Sequence, residues 1–425
     1  MRRTVLFVTY GGGHAAMAAP VIRALASYPI RTETLALTLA GPYFKRQGLP
    51  YKGFKDFLLP EDTEALDWGK KLAALHHHPE TGIGEEEAIA YLGLSYRDLV
   101  TRLGEQEAAR LWEEKGRNAF FPLSMLERVI DRAKPDMVVT TNSPRGEYAA
   151  QIAASKRGIP TLAMVDLFGL FNFYRIEADY VAVISPIVID NMRRDTGLRE
   201  GQKFLITGNP AFDPAFDCRG PVDHAWRRRF FPALPDHAKA LLWIDDSGYV
   251  DKATGLLHVR GAEEIADNLD ILADAARRND GYLLIRPHPS QQRAPFDAWM
   301  RKTAHPHVML AGEAPLYPLL NACDAVATFS STVGCEALLT GRPVIQLGYY
   351  PGEFNMRLGD WGVARWAETP ERLPEAVRQS FSGNMPEDMQ ARIAAMFPQE
   401  KAAPKIAKAI DDILYGREPS GVHAY

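Results

Sequence analysis

Short apolar runs alternate with helix-type patterns along both halves of this 425-residue chain. The runs are nearly continuous in Val, Ile and Leu, which is typical of strands buried on both faces of a parallel sheet. They are Thr4–Tyr10, Thr34–Leu39, Met137–Thr141, Thr161–Asp166, Tyr180–Ile184, Phe204–Thr207, Ala240–Ile244, Tyr282–Arg286, Val308–Ala311, Ala325–Phe329 and Pro343–Leu347. Strands that alternate with helices predict an α/β fold with right-handed crossovers. We therefore expect two doubly wound, Rossmann-like domains.

The domain boundary is expected where Pro, Gly, Asn and Asp cluster, in the segment Gly208–Pro214. The first domain then covers residues 1–208 and the second residues 209–401. Residues of about 60–130 interrupt the strand–helix alternation with amphipathic helical patterns, so they predict a helical insertion in the first domain. Residues 402–425 begin with an amphipathic helix that we expect to pack back on the first domain.

Composition excludes several classes of protein. Lys plus Arg number 49 against 53 for Asp plus Glu, giving a net charge of −4, so the basic footprint of a nucleic-acid binder is missing. Three scattered cysteines suit a reducing, cytoplasmic compartment. The N-terminal apolar run is broken at Gly11–His14, and no other run approaches the ~18 apolar residues of a bilayer span. Peripheral contact with the inner membrane stays open, because Trp226–Phe231 fits either anionic lipid or a solvated helix face.

A glycine-rich segment with a histidine lies between the first strand and the first helix. Ligands of open parallel sheets bind beyond the carboxyl ends of the strands, so motifs at these ends are candidate site residues. Gly12 and Gly13 would let backbone amides approach an acceptor or a phosphate, and His14 would lie beside them. The alternative is a tight turn with a solvated histidine.

Charged residues also follow two other strands of the first domain: Arg145, Glu147 and Asp166. His14, Glu147 and Asp166 are the candidates for a general base that accepts the proton of an acceptor hydroxyl group. We rank His14 first, because its segment is expected to lead directly into the crevice and because the ordinary pKa of histidine is near 6.5. A carboxylate would need burial to raise its pKa usefully.

The second domain carries polar motifs after three of its strands. Arg286 and His288 end one strand, and the adjacent prolines fix the backbone there. A cluster of hydroxyl groups and a carboxylate follows another strand into a helix: Ser330, Ser331, Thr332 and Glu336. Hydroxyl and amide groups at such a helix start favour a phosphate site over a simple cap. Asp245 and Asp246 precede Ser247, which could face a donor phosphate; these two carboxylates are either acid/base groups or turn caps.

The sequence gives little support for a metal site. His76, His77 and His78 are adjacent in a polar segment and would point apart, whereas zinc ligands converge. We expect this segment to be a loop that faces either solvent or the acceptor cleft. Asp245 and Asp246 lack the spacer of an Asp-x-Asp metal motif. We therefore expect no metal and no bound cofactor.

The combined motifs resemble the GT-B glycosyltransferases, whose two Rossmann-like domains face a cleft. The stretch from Leu316 to Gly348, with Ser330-Ser331-Thr332-Val333-Gly334 and Gly341-Arg342-Pro343-Val344, is most similar to the capsule polysaccharide synthesis family. The segment Gly11–His14 is instead similar to lipid-acceptor enzymes that use UDP-sugars.

This resemblance implies a nucleotide-sugar donor, CMP-, UDP- or CDP-linked and commonly of the CMP-Kdo type, and a glycan or lipid-linked acceptor. It also implies that the donor phosphates contact His288 and Ser330–Thr332, that Glu336 binds the ribose and that Arg286 adds positive charge. No metal is required, because such donors replace Mg²⁺ in stabilising the leaving phosphate.

Two other functions remain open. Thr207-Gly208-Asn209-Pro210 with Asp213 resembles the domain junction of the non-hydrolysing UDP-N-acetylglucosamine 2-epimerases. That family carries Asp-Ser-Gly-Gly followed by paired glutamates, whereas Glu336 is followed by Ala337 here. The second alternative is a non-catalytic, two-lobed protein that binds a nucleotide sugar.

Overall fold

The computed structural model describes residues 2–166, 168, 176–246, 248–251, 257–312, 314–349, 352 and 356–424. Ser247, which was expected to face a donor phosphate, lies outside the described residues. The chain forms two compact units, Met1–Asp213 with Glu400–Tyr425, and Pro214–Gln399. The junction thus falls inside the segment Gly208–Pro214.

The strands are β1 (Arg3–Tyr10), β2 (Ile30–Leu37), β3 (Met137–Thr140), β4 (Thr161–Met164), β5 (Tyr180–Val183), β6 (Lys203–Ile206), β7 (Lys239–Ile244), β8 (Gly248–Val250), β9 (Leu257–Val259), β10 (Gly281–Arg286), β11 (Val308–Leu310), β12 (Ala325–Thr328), β13 (Val344–Leu347), β14 (Arg365–Ala367) and β15 (Val422–Ala424).

The helices are α1 (Gly11–Leu25), α2 (Ala40–Arg46), α3 (Thr63–His76), α4 (Glu85–Leu103), α5 (Glu105–Lys115), α6 (Leu123–Ala133), α7 (Gly146–Ser155), α8 (Pro186–Asp195), α9 (Pro214–Asp217), α10 (His224–Phe230), α11 (Ala262–Arg277), α12 (Ala294–Thr303), α13 (Leu316–Ala322), α14 (Val333–Leu339), α15 (Leu373–Phe381), α16 (Glu387–Met396) and α17 (Ala402–Leu414). Among these described helices, none combines the length and apolar character needed to cross a bilayer.

The first unit contains a seven-stranded sheet in the order β15-β6-β5-β4-β3-β1-β2. All pairs are parallel except β15 with β6. From β1 the chain adds β2 on one side and β3 on the other, so the carboxyl ends of β1 and β3 form a topological switch point. Ligands of doubly wound sheets bind at such a point, and α1 and α7 both begin there.

The predicted helical insertion is present between β2 and β3. Its longest helix is α4, which packs closely on α3. This close approach requires glycine, because a Cβ atom at Gly93 would lie 2.0 Å from the Ala65 carbonyl oxygen. The insertion contributes apolar side chains to the core on one face of the first sheet.

The C-terminal segment completes the other face of that sheet. Ile406 and Ile410 of α17 are fully buried in one cluster with apolar residues of α1. The Asp213 carboxylate accepts hydrogen bonds from the backbone N–H groups of Ala402 (2.6 Å) and Ala403 (2.9 Å), which caps α17.

The second unit contains a six-stranded parallel sheet in the order β11-β10-β7-β12-β13-β14. When these six strands are numbered by their order in the chain, their positions across the sheet read 3-2-1-4-5-6, which is the Rossmann arrangement. The switch point of this arrangement lies between β7 and β12. Trp243 of β7 is fully buried and packs its ring against Phe329. Strands β8 and β9 form a separate antiparallel pair that the sequence patterns did not indicate.

Candidate functional site

In the first unit, His14 lies between two carboxylates at the switch point of the sheet. Its Nδ1 atom is 3.2 Å from Glu147 Oε1, and its Nε2 atom is 3.3 Å from Asp166 Oδ2. His14 belongs to the start of α1, Glu147 to the first turn of α7, and Asp166 follows β4. The three residues that the sequence proposed as alternative bases therefore form one contiguous group.

Glu147 is the buried end of this group. Its side chain is fully shielded from solvent, and its two oxygens accept hydrogen bonds from the backbone of Tyr10 (2.6 Å), Thr141 (2.9 Å) and Ser143 (3.1 Å). The Thr141 hydroxyl donates a further bond of 2.5 Å. These donors stabilise the ionised carboxylate and fix its position. Glu147 is thus suited to orient His14 rather than to contact a substrate.

The two carboxylates change the protonation of His14. Burial lowers the pKa of His14, but the charges of Glu147 and Asp166 and their hydrogen bonds outweigh it and raise the pKa to about 10. His14 is then an imidazolium at neutral pH. One of the two reasons for ranking His14 first, an ordinary pKa near 6.5, is therefore wrong, because the sequence did not show that both carboxylates contact this ring.

Asp166 is the more exposed end of the group, with 27% of its side chain accessible. The Asn142 amide donates to Asp166 Oδ1 (2.9 Å), and the Asp166 backbone N–H donates to Asn142 Oδ1 (3.2 Å). Asn209 donates to the Asp166 backbone oxygen (2.8 Å). Asp166 is consequently the carboxylate of this group that an external hydroxyl group can reach.

The three glycines open α1 instead of forming a separate loop. Gly11 begins the helix with φ +77°, and Cβ atoms built at Gly11, Gly12 and Gly13 would meet no atom within 4 Å. Packing therefore does not require glycine at residues 12 and 13. Arg145 lies over the Tyr10 ring, 4.4 Å from its centroid, and donates to Asn118 Oδ1 (2.9 Å).

In the second unit, the polar motifs meet at the Rossmann switch point. The Ser330 backbone N–H, after β12, donates to Asp246 Oδ2 (2.9 Å), after β7. Arg260 pairs with the neighbouring Asp245 at 2.5 Å, and both side chains are almost completely buried. Burial raises the pKa of Asp246 to about 7, opposed by the Ser330 hydrogen bond and the Arg260 charge. Asp246 is therefore partly protonated near neutrality.

His288, after β10, is held in one tautomer. Its Nδ1 atom accepts from the backbone N–H of Ser290 (3.2 Å) and lies 2.7 Å from the Ser290 hydroxyl, so Nε2 carries the proton of the neutral ring. Burial lowers the pKa of His288. Gln291 accepts from the His288 backbone N–H (2.7 Å) and donates to Asp245 (3.0 Å), which ties this loop to the end of β7. His288 thus presents a neutral N–H donor.

The three hydroxyl residues after β12 have different surroundings. The Ser330 hydroxyl is buried and accepts from the Met356 backbone N–H (3.0 Å), so it supports the loop. Ser331 accepts from the Val333 backbone N–H (3.3 Å), and Thr332 is the N-cap residue of α14. Ser331 and Thr332 are only partly buried, so they remain within reach of a ligand.

Glu336 lies in the first turn of α14 and is 7% exposed. Burial raises its pKa to about 7, although a hydrogen bond from Tyr317 and the charge of Arg286 oppose this rise. Arg286 also donates to the Ala314 carbonyl oxygen at 2.5 Å. A buried, partly protonated carboxyl group can both donate to and accept from ligand hydroxyl groups.

Sequence reasoning missed the residues that orient these groups: Asn142, Asn209, Arg260 and Gln291. Gln291 follows the His288 motif closely and could have been included for that reason, whereas nothing near Arg260 in the sequence signals its pairing with Asp245. In the part of the chain that the structure describes, no group of three or more His, Cys, Asp or Glu side chains could hold a metal ion. His76–His78 accordingly form no such group there.

Solved structures with the same fold match this chain over nearly its whole length. They include a Listeria monocytogenes protein provisionally described as a UDP-N-acetylglucosamine 2-epimerase (TM-score 0.62, 15% identity, 99% of this chain and 98% of that one). The Neisseria meningitidis UDP-GlcNAc 2-epimerase bound to UDP-GlcNAc matches with TM-score 0.59 and 15% identity over 97% and 100% of the two chains. Acinetobacter baumannii MurG matches with TM-score 0.55 and 14% identity over 96% and 99%. These likenesses confirm the predicted α/β class of two Rossmann-like, GT-B-type domains.

Within that class, residues 256–354 match the family described as capsule polysaccharide biosynthesis protein. The match confirms the resemblance that the C-terminal motifs indicated, and it contains Arg286, His288, Ser330–Thr332 and Glu336. The chain is also 33% identical over 93 residues to Protein FixF of Sinorhizobium fredii (strain NBRC 101917 / NGR234). That alignment spans 22% of this chain and 22% of FixF, about a fifth of its length.

Proposed function

We propose that this protein is a glycosyltransferase that moves a sugar from a nucleotide-activated donor to a glycan or lipid-linked acceptor in surface polysaccharide synthesis. The observation that carries the proposal is the position of the capsule-family match. It covers the second-unit strand ends where His288, Ser331, Thr332 and Glu336 lie around a Rossmann switch point. We also infer a cytoplasmic location, because all three cysteines are free thiols; a lipid-linked acceptor would bring the enzyme to the inner membrane face.

In the proposed reaction the second unit binds the donor. The neutral N–H of His288 and the hydroxyl groups of Ser331 and Thr332 donate to the phosphates, Arg286 adds positive charge and Glu336 binds ribose hydroxyl groups. When the bond between the anomeric carbon and the phosphate oxygen breaks, the phosphate keeps the electron pair. Donors aimed at that oxygen stabilise the developing charge without a metal ion.

The first unit supplies the base. The acceptor hydroxyl oxygen forms the new bond to the anomeric carbon, and its proton passes to Asp166, the exposed carboxylate of the group. His14 is a positioning residue that stays protonated, and Glu147 orients it. A positioned base contributes about 10²–10⁴-fold to such a step.

Donor binding is tested with the double variant Ser331→Ala and His288→Ala. Calorimetric titration with CMP, CDP, UDP and GDP should show at least a tenfold loss of affinity for the preferred nucleotide. The matched control replaces the exposed residues His237 and Ser382 with Ala and should bind normally. Unchanged affinity in a folded double variant would overturn the donor site.

The base is tested with Asp166→Asn. This variant should bind nucleotide normally and lose at least a hundredfold in transfer rate. If Asp166→Asn keeps near-normal transfer while His14→Asn loses it, the base is His14 and the assignment above is wrong.

A second candidate is a nucleotide-sugar 2-epimerase. Asp246 and Glu336 favour it, because both carboxyl groups have a pKa raised to about 7 and could exchange a proton with a sugar carbon. Incubation with a nucleotide sugar separates the possibilities by product: a transferase releases free nucleotide with an acceptor, an epimerase yields an altered sugar on the intact nucleotide, and a binding protein yields neither.

A further inference from the structure

The helical insertion of the first unit contains a pocket that the proposed reaction does not use. We infer that this pocket is a subsite for a neutral sugar ring of the acceptor, adjacent to the ring whose hydroxyl group reacts. The inference rests on the proposed function and names the substrate class that the first unit recognises. The residues that carry it are Thr38, His77, Glu87, Ala88, Tyr91 and Arg117, which all line the pocket.

The pocket adjoins the start of α1. Strands β1 and β2 are paired in a register that places Tyr10 opposite Leu37, so Gly11 and Thr38 each follow directly after the last pair of these two strands. The ring centroids of Tyr10 and Tyr91 are 6.4 Å apart. The pocket, which Tyr91 lines, therefore lies beside the strand end that precedes the Gly11–His14 segment.

Thr38, which lines the pocket, has a constrained backbone conformation. It has φ +55°, which is rare for a β-branched residue, and it is 8% exposed. Such a conformation persists only where the surrounding structure holds it, and such residues cluster at ligand sites. Thr38 follows β2 and Asp166 follows β4, so both residues lie at the carboxyl ends of the parallel strands of the first sheet.

The polar groups of the pocket both donate and accept hydrogen bonds. His77 Nε2 is 2.8 Å from the Ile83 carbonyl oxygen, so Nε2 carries the proton and Nδ1 of the neutral ring is an acceptor. Arg117 donates to the His76 carbonyl oxygen (2.8 Å) and has further N–H groups. Glu87 accepts from the Phe54 backbone N–H (2.9 Å), and burial raises the pKa of Glu87 to about 7.

The lining of the pocket is mainly apolar with a few polar groups, which suits a sugar ring that offers C–H faces as well as hydroxyl groups. Each hydroxyl group of a sugar donates and accepts, and the Tyr91 ring offers an apolar face to its C–H groups. A phosphate would face the Glu87 carboxylate, and an apolar ligand would leave Arg117 and Glu87 desolvated. The pocket has a volume of about 50 Å³ and is open to solvent. Since one water needs roughly 10–15 Å³ on the same measure, the pocket has room for one edge of a sugar ring while the rest of the ring stays in solvent.

The direct test uses the full chain labelled with ¹⁵N-histidine, with the ring signals of residues 76–78 assigned by single replacement with Gln. It is titrated with methyl glycosides of neutral hexoses and N-acetylhexosamines, and separately with inorganic phosphate. We expect saturable shifts of these signals with at least one neutral glycoside. Shifts with phosphate alone, or with none of the probes, would overturn the subsite.

Blocking variants test the location. Ala88→Leu fills the pocket from α4, and its matched control is Ala74→Leu, the same change on the exposed surface of α3. Glycoside affinity should fall at least tenfold in Ala88→Leu and stay unchanged in Ala74→Leu. If Ala88→Leu does not fold, Thr81→Gln at the partly exposed rim takes its place. Equal affinity in a folded blocking variant and the wild type would refute the location.

The failure of this inference is distinguishable from failure of the proposed function. Nucleotide affinity is measured on the same labelled sample by calorimetry. If nucleotide binds but the histidine signals do not respond to glycosides, the subsite alone is wrong. If no nucleotide binds, the proposed transferase is wrong, and the subsite falls with it.

Discussion

Replacing Glu147 with Gln should return the pKa of His14 toward its ordinary value and weaken the first unit. The amide has almost the shape of the carboxylate, so the change removes charge with little change in volume. Among the causes that raise the His14 pKa, the charge of Glu147 is the largest, and only burial, which lowers it, is larger. We therefore expect the His14 pKa to fall from about 10 to below about 8.

The cost in stability follows from the hydrogen bonds. One carboxylate oxygen accepts from the Tyr10 N–H and faces His14, and the other accepts from Thr141 and Ser143. An amide NH₂ group must face one of these sets of donors, leaving at least one buried N–H without an acceptor at about 1–3 kcal/mol. With the lost charge interaction, we expect unfolding free energy to fall by about 3–5 kcal/mol at pH 7.

The pH dependence has a defined sign. The folded pKa of His14 is raised above 6.5, so its stabilising effect is complete below pH 6.5 and is lost as the pH rises through about 10. A rise from 6.5 to about 10 corresponds to at most about 5 kcal/mol at 1.36 kcal/mol per pKa unit. The stability difference between wild type and Glu147→Gln should accordingly shrink between these pH values.

The assay combines NMR titration of the His14 ring with urea denaturation at several pH values. The control is Glu113→Gln, the same change at an exposed helix position, which should alter neither quantity. The reasoning is refuted if wild-type His14 titrates near 6.5, or if its pKa stays above 9 in Glu147→Gln.

Three further predictions concern other parts of the molecule. Gly13→Ala should raise unfolding free energy by about 0.5–1 kcal/mol, since its Cβ meets no atom within 4 Å, yet lower the transfer rate; undiminished transfer would show that acceptor does not approach α1 closely. Asp213→Ala removes the cap of α17 and should cost about 1–2 kcal/mol in urea denaturation, whereas the exposed Asp190→Ala should cost almost nothing; equal losses would contradict the capping role. Transfer should survive EDTA, because the proposed reaction assigns stabilisation of the leaving phosphate to His288 and Arg286 rather than to a metal ion; activity that needs added Mg²⁺ would contradict this proposal.

The strands and their carboxyl-end motifs could be predicted from local sequence, because a buried parallel strand has a distinctive composition. Each of the eleven predicted apolar runs overlaps a strand of the structure. Strand β15 could not be found in this way: it is three residues long and owes its place to pairing with β6, far away in the sequence.

The chemistry of the site was predicted less well, since it depends on distant partners. His14 and Glu147 were both recognised, but their contact joins residues 133 positions apart and reverses the expected protonation of His14. The pairing of Arg260 with Asp245 likewise depends on the fold of the second unit. Local patterns therefore indicate which residues belong to a site, whereas their charge states depend on tertiary contacts.

The packing of α17 against α1 has a consequence for synthesis of the chain. The core on this face of the first sheet is incomplete until α17 has been synthesised, and all of Pro214–Gln399 is translated before that. At roughly 5–20 residues per second, this delay lasts about 10–40 s. During this time the apolar face of α1 stays uncovered on the ribosome, so nascent chains should need a chaperone there. For the same reason, expression of residues 1–213 alone should give an aggregating product, and a fusion that supplies residues 400–425 should rescue it.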